Sequence, residues 1–249
     1  MKIVFPEYHN EIIQAAIKEA EDIEAIVAEN LEEACAKIKN GEADALIAGI
    51  DYTTRDVVLA CKNYLGMKDQ TFSSCFLLKS PEKRTFILAD AGVTKNPTKD
   101  QLKDIVRQTY ESAKKLLEEE PKIAMLSFST YGSAKDESID KINQVLSEIK
   151  AENPEIIIDG ELQLDAAINP RIAAKKCPDS PLKGKANVLI TPDLNSGNIL
   201  YKAFEQLGDY TAAGPLLQGF NFPASDLSRG STKEDVLLVI NCIKKLVCR

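Results

Sequence analysis

Ala45-Leu46-Ile47-Ala48-Gly49-Ile50-Asp51-Tyr52-Thr53-Thr54 is the stretch whose reading decides the fold: an unbroken apolar run, a glycine, then a polar turn closed by two threonines. A short continuous apolar run flanked by turn residues is the pattern of a strand buried on both faces, as parallel strands are. Toward the N-terminus the same alternation occurs twice. Lys2 to Phe5 reads as a buried strand, after which Ile12, Ile13, Ala16, Ile17 and Ala20 trace a helical stripe. Ile23 to Ala28 reads as a second strand. Asn30 then caps a short helix whose Leu31, Ala34, Cys35 and Ile38 face inward, with Asn40-Gly41 as its stop. This βαβα order predicts a parallel sheet. A further helix is predicted from Thr54 to Leu65-Gly66.

In open α/β sheets, ligands gather outside the carboxyl ends of the strands, which makes Gly49, Thr53 and Thr54, with Arg55 beside them, candidates for a phosphate or acyl subsite. Two threonines before a helix serve equally as ordinary caps. A second candidate is Asn221-Phe222-Pro223-Ala224-Ser225-Asp226-Leu227-Ser228-Arg229-Gly230-Ser231-Thr232-Lys233-Glu234-Asp235. Val236, Val239, Ile240, Ile243 and Val247 recur behind it at helical spacing, predicting a helix that begins near Thr232, and Ser231 with Glu234 has capping-box spacing. Free N–H groups and the positive dipole end of such a helix, the Ser228 hydroxyl, the Arg229 guanidinium and the small Gly230 converge where a phosphate could rest. Asp235, on the first turn, could accept a proton. Singly, each has a plain reading as dipole complement, surface cation or turn residue.

After Gly66 the pattern changes. Thr71 to Leu78 and Arg84 to Leu88 are strand-like runs joined by Ser80-Pro81-Glu82-Lys83, a turn of hairpin length. We expect a second α/β domain over residues 71–218, with residues 1–70 and 219–249 forming a discontinuous first domain. Thr98 and Gln101 predict a capped long helix. Strands Ile123–Ser127, Ile156–Ile158 and Val188–Ile190 lead into polar loops, among them Ser127–Ala134 and Pro192–Asn198. Glu161 and Asp165 suit metal binding or acid/base work, or equally the tying of loops to the scaffold.

The totals narrow the function. The 249 residues carry a formal charge of -7, and no stretch concentrates Lys and Arg with interleaved aromatics, so a nucleic-acid partner is not expected. No apolar run is long enough to cross a bilayer, and Met1 to Pro6 reads as a strand rather than a signal peptide, so a cytoplasmic protein without a membrane partner is expected. Cys35, Cys61, Cys75, Cys177, Cys242 and Cys248 form no C-x-x-C pair, and we read them as reduced thiols without a metal cluster or disulfide framework. The lone His9 reads as a solvated or capping side chain. The glycine-rich nicotinamide and ATP fingerprints are absent. What remains is a small-molecule ligand drawn by local positive charge.

The block ANVLITPDLNSGNILYKAFEQLGDYTAAGPLLQGFNFPASDLSRGSTKED, residues 186–235, closely resembles the C-terminal region of the phosphate acetyl/butyryl transferases. KIAMLSFSTYGSA (122–134), DGELQLDAAI (159–168), LADAGVTKNPT (88–98) and, more loosely, ADALIAGIDYTTRD (43–56) echo the same family in the same order. The resemblance implies a two-domain, three-layer αβα fold of the isocitrate/isopropylmalate dehydrogenase type with the site in an interdomain cleft, and a homodimer. It implies reversible transfer of a short acyl group, acetyl or butyryl/branched, between CoA and phosphate, with CoA or acyl-CoA as substrate and no permanently bound cofactor or metal. Carried onto matching positions, Asp235 is the base for the CoA thiol, Arg229 binds phosphate and the developing oxyanion, and Ser228 hydrogen-bonds in the transition state. Three departures stand out. The N-terminal region is contracted, without a counterpart to one family arginine; Leu59-Ala60 replaces an arginine-proline pair; and Tyr52 replaces a histidine. These departures leave a second expectation, an impaired relative that binds CoA in a regulatory role.

Overall fold

The computed structural model describes residues 1–80 and 82–247; Pro81 of the expected hairpin turn and Cys248 lie outside the described residues. The chain divides into two compact units, Met1–Leu77 with Thr211–Arg249, and Leu78–Tyr210. In chain order, unit 1 opens with β1 (Lys2–Phe5), α1 (Glu11–Glu19), β2 (Glu24–Val27), α2 (Leu31–Lys39), β3 (Ala45–Ala48), α3 (Thr54–Ala60), a π-helical turn (Cys61–Leu65) and β4 (Ser73–Lys79). Unit 2 holds β5 (Phe86–Ala89), α4 (Lys99–Leu116), β6 (Lys122–Leu126), α5 (Glu137–Glu152), β7 (Ile157–Leu162), α6 (Leu164–Ile168), α7 (Pro170–Lys176), β8 (Val188–Ile190) and α8 (Leu194–Gly208). The chain then returns to unit 1 with β9 (Thr211–Gln218), β10 (Ala224–Asp226) and α9 (Lys233–Val247).

Unit 1 has the strand order β2-β1-β3-β10-β9-β4. β1 pairs in parallel with β2 and β3, β10 runs parallel to β3, and β9 is antiparallel to β10. Two-sided burial explains the unbroken apolar runs: Ile3, Val4, Phe5, Leu46 and Ile47 are wholly buried. α9 packs on α1 and β9, whereas α2 packs on β1, β3, α3 and the π-helical turn. The stripe Val236, Val239, Ile240 and Ile243 is the buried face of α9. Each such side chain contributes about 1.5–3 kcal/mol of burial, so the last helix is held by a sheet whose first strands lie more than 200 residues away in sequence.

In unit 2 the pairs β5–β8, β8–β6 and β6–β7 are all parallel, in the order β5-β8-β6-β7. The Thr98–Gln101 capping box starts α4, as its spacing predicts. From α4, Lys99 and Lys103 reach Glu148 on α5 at 2.6 and 2.8 Å, and Arg107 meets Glu152. The two ammonium groups hold the Glu148 carboxyl down to about 2. These pairs are solvent-facing and add little to stability.

Two expectations change, and two stretches not assigned from sequence prove to be strands. The predicted helix from Thr54 is α-helical only to Ala60 and then widens into the π-helical turn. Residues 211–218 and 224–226, which carry no clear periodicity, are strands. β9 contains Gly214-Pro215, poor strand formers, and Gly214 is there for close approach: a side chain on it would stand 2.8 Å from the Phe76 ring and 2.9 Å from the Cys75 carbonyl oxygen. Finally, the capping box of α9 uses Thr232 and Asp235 rather than Ser231 and Glu234. Among the described residues no helix is long and apolar enough to cross a membrane.

Candidate active site

β10 ends at Asp226, and the chain turns through Leu227-Ser228-Arg229-Gly230-Ser231 before α9. The turn is tied by its own hydroxyls: Ser228 N–H donates to Ser231 Oγ at 3.0 Å, Gly230 N–H donates to Ser228 Oγ at 3.3 Å, and Ser231 N–H donates to the Ser228 carbonyl at 2.9 Å. Ser228, Arg229 and Gly230 are exposed, and Arg229 has no ion pair among the described residues. Space above Gly230 is open, since a side chain there would meet only Ser228 Oγ, at 3.9 Å.

Asp235 sits half-buried on the first turn of α9. Its Oδ2 accepts from Thr232 N–H at 2.8 Å and from the Thr232 hydroxyl at 2.9 Å, while Asp235 N–H donates back to Thr232 Oγ1 at 3.2 Å. This reciprocal cap fixes the carboxylate and leaves Oδ1 without a partner among the described residues. Ser231, freed from capping, closes the preceding turn instead. Sequence spacing alone could not separate the two boxes, because Ser-x-x-Glu and Thr-x-x-Asp overlap one residue apart.

The Gly49–Thr54 segment is arranged differently from the expected anion cradle. Glu7, which follows β1 and is 1% exposed, accepts from four consecutive amides: Gly49 at 2.7 Å, Ile50 at 3.3 Å, Asp51 at 2.5 Å and Tyr52 at 2.8 Å. Of the residues read from sequence as a phosphate or acyl subsite, Gly49 therefore has its amide held by the chain's own carboxylate. Thr53 is the N-cap of α3, accepting from Asp56 N–H at 3.2 Å and donating to Asp56 Oδ2 at 2.7 Å. The Thr54 hydroxyl donates to the Asp226 carboxylate. Arg55 is exposed at the start of α3. Glu7 and Asp226 were not singled out from sequence; for Glu7 the signal available was an acidic residue two positions after the buried strand Lys2–Phe5.

Asp226 is 1% exposed and its Oδ1 has no hydrogen-bond partner among the described residues. Burial first, then the neighbouring Glu7 carboxylate, pushes its carboxyl up to about 6, against the pull of the Thr54 hydroxyl. Gly49, at φ +108°, presses against this residue: a side chain on Gly49 would lie 2.6 and 2.8 Å from Leu227 N and O and closer still to Asp226 Oδ1.

In unit 2 the paired carboxylates separate. Glu161 is buried and accepts from the Ser129 hydroxyl at 2.9 Å and Gly132 N–H at 2.6 Å, whereas Asp165 pairs with Lys176 at 2.8 Å. Among the described residues no His, Cys, Asp and Glu cluster could hold a metal ion. Cys35, Cys61, Cys75, Cys177 and Cys242 are buried, and burial pushes the Cys35 thiol up to about 11. His9 Nε2 lies 3.4 Å from Asp51 Oδ2 at the surface. A cavity of about 570 Å³ opens where β6 and β8 end, walled by Leu126, Phe128, Pro192, Ile199 and Leu200.

The phosphate acetyl/butaryl transferase family matches residues 2–243. The chain belongs to that family. The phosphate acetyltransferase of Clostridium acetobutylicum is 42% identical over 229 residues, covering 88% of this chain and 68% of that one. The phosphate acetyltransferase of Treponema pallidum is 42% identical over 214 residues, covering 82% and 64%. The chain thus spans about two thirds of the length of these curated relatives. A phosphotransacetylase from Streptococcus pyogenes matches the fold with a TM-score of 0.89 at 32% identity, over 99% of this chain and 94% of the other. Membership makes the protein an acyltransferase-family chain, and its α/β architecture is of the isocitrate/isopropylmalate dehydrogenase type.

Proposed function

We propose that the chain catalyses reversible acyl exchange, in which acyl phosphate and CoA give acyl-CoA and inorganic phosphate. The observation that carries this reading is the exposed Ser228–Arg229 turn set directly before the cap that immobilises Asp235. A thiol of pKa about 8.5 is mostly protonated at neutral pH, so a fixed carboxylate beside it raises the reactive thiolate fraction. Asp235 Oδ1 takes the thiol proton, since Oδ2 is engaged by Thr232. The sulfur bonds to the acyl carbon, the carbon–oxygen bond to phosphate breaks, and Arg229 with Ser228 offsets charge on the carbonyl oxygen and the departing phosphate.

Arg55 and Thr53 at the start of α3, with Gly230, complete the substrate-binding set in this reading, whereas Gly49 and Thr54, candidates from sequence for the same role, are turned to Glu7 and Asp226. CoA is a substrate, with no resident cofactor or metal. Acetyl is the acyl group favoured by the names of the relatives, with butyryl or branched groups as the alternative that an acyl-CoA series resolves. We read the protein as a cytoplasmic homodimer. Phosphate-dependent release of CoA from acetyl-CoA is the test. Arg229→Ala is expected to lose at least about a hundredfold in rate, the usual weight of an oxyanion-stabilising group; equal rates would refute the assignment.

A second reading is a CoA-binding relative without turnover. It is favoured by Leu59-Ala60, which stands where the family resemblance implies an arginine-proline pair. Saturable CoA binding by calorimetry, with no phosphate-dependent turnover of any acyl-CoA, selects it.

A further inference from the structure

Glu7 takes no part in the reaction above, yet it is the most heavily engaged carboxylate of unit 1. It is buried, has no ion pair among the described residues, and is satisfied by four backbone amides of one turn. A buried carboxylate is costly unless its lone pairs are satisfied, and one that accepts several amide bonds holds its donors in a fixed geometry. The turn so held is in direct contact with the chain that leads to the reactive residues. Gly49 leaves no room for a side chain against Asp226 and Leu227, Leu227 N–H donates to the Ala48 carbonyl at 2.5 Å, and Thr54 donates to Asp226. Asp226 and Leu227 immediately precede Ser228 and Arg229, so a shift of the Gly49 turn displaces both.

We propose that Glu7 is a positioning residue for Ser228 and Arg229, acting through the Gly49–Tyr52 turn and its contact with Asp226 and Leu227. The proposal rests on the acyl-transfer reading of those two side chains. It predicts a kinetic signature that loss of stability alone does not produce. Because Ser228 and Arg229 act in the transition state, misplacing them lowers kcat and leaves the KM for CoA nearly intact.

The experiment is steady-state exchange on the full chain with Glu7→Gln, Gly49→Ala and Asn30→Ala. Glu7→Gln turns an amide NH2 toward backbone donors, and Gly49→Ala pushes on Asp226 from the other side. Both are expected to lower kcat by at least about tenfold with less than about a threefold change in the KM for CoA. Asn30→Ala removes the α2 cap in the same unit and is the stability control, expected to lower the melting temperature with kcat within about twofold of wild type. Wild-type kcat in folded Glu7→Gln, or a kcat loss in Asn30→Ala matching that of Glu7→Gln, overturns the proposal. If Glu7→Gln does not fold, Gly49→Ala decides by the same criterion. Should the wild-type protein show no exchange, the acyl-transfer reading fails separately, and calorimetry with inorganic phosphate takes over. At least about tenfold weaker binding in Gly49→Ala supports the positioning role; unchanged affinity, or no phosphate binding by wild type, overturns it.

Discussion

The turns Gly49–Tyr52 and Ser228–Ser231 share their ingredients, a glycine, polar residues and a helix start just beyond, and both follow parallel strands of unit 1. They end in opposite states. The first is closed by the buried Glu7 carboxylate, whereas the second is closed only by its own hydroxyls and leaves Arg229 exposed. The same device recurs in unit 2, where Asp90 accepts from Gly92, Val93 and Thr94 and Glu161 from Gly132. The amides of both turns are thus satisfied within the chain, and what distinguishes the second is the exposed Arg229 side chain that it presents.

The sharpest way to break this contrast is Glu7→Ala, which strips the first turn of its acceptor and leaves four amide donors, two of them buried. Loss of about 3–5 kcal/mol is expected, the range for breaking a buried charged network, read as a shifted urea midpoint. A change within experimental error would mean that the turn needs no internal anion.

Next is Asp226→Asn. Burial raises this carboxyl from 3.8 to about 6, so its protonated form is favoured in the fold. Its stabilising contribution is complete below the unfolded value and is lost as pH rises through about 6. The wild-type protein should lose about 2–3 kcal/mol from this group between about pH 4 and 7, and Asp226→Asn should flatten that part of the profile. Parallel profiles for the two proteins would show that Asp226 does not titrate there.

The smallest effect is expected from Thr232→Ala, which removes the cap holding Asp235 Oδ2. A loss of about 1 kcal/mol in unfolding is the ordinary consequence of losing an N-cap. If the second turn were as rigidly held as the first, the loss would approach that of Glu7→Ala.

Much of this was legible in the residues. The strands Lys2–Phe5 and Ala45–Ala48, the Asn30 cap of α2 and the Thr98–Gln101 box of α4 are local patterns, where a few neighbouring side chains settle the backbone. The strands 211–218 and 224–226 were not legible, because a three-residue strand has no period and Gly214-Pro215 opposes strand formation until Phe76 and Cys75 are beside it. The cap of α9 was misplaced by one residue because two overlapping boxes fit equally well in one dimension.

By itself the sequence determined the alternation of strands and helices, the family, and the short stretch Ser228–Asp235 with its hydroxyl, guanidinium and carboxylate, all of which depend on residues close together in the chain. Only the tertiary structure decided which turn is closed by a distant carboxylate. Glu7 and Gly49 are 42 residues apart and Asp226 lies far beyond both, so whether a set of amides is held by neighbouring hydroxyls or by a buried carboxylate is fixed by packing across the sheet, which no local pattern records.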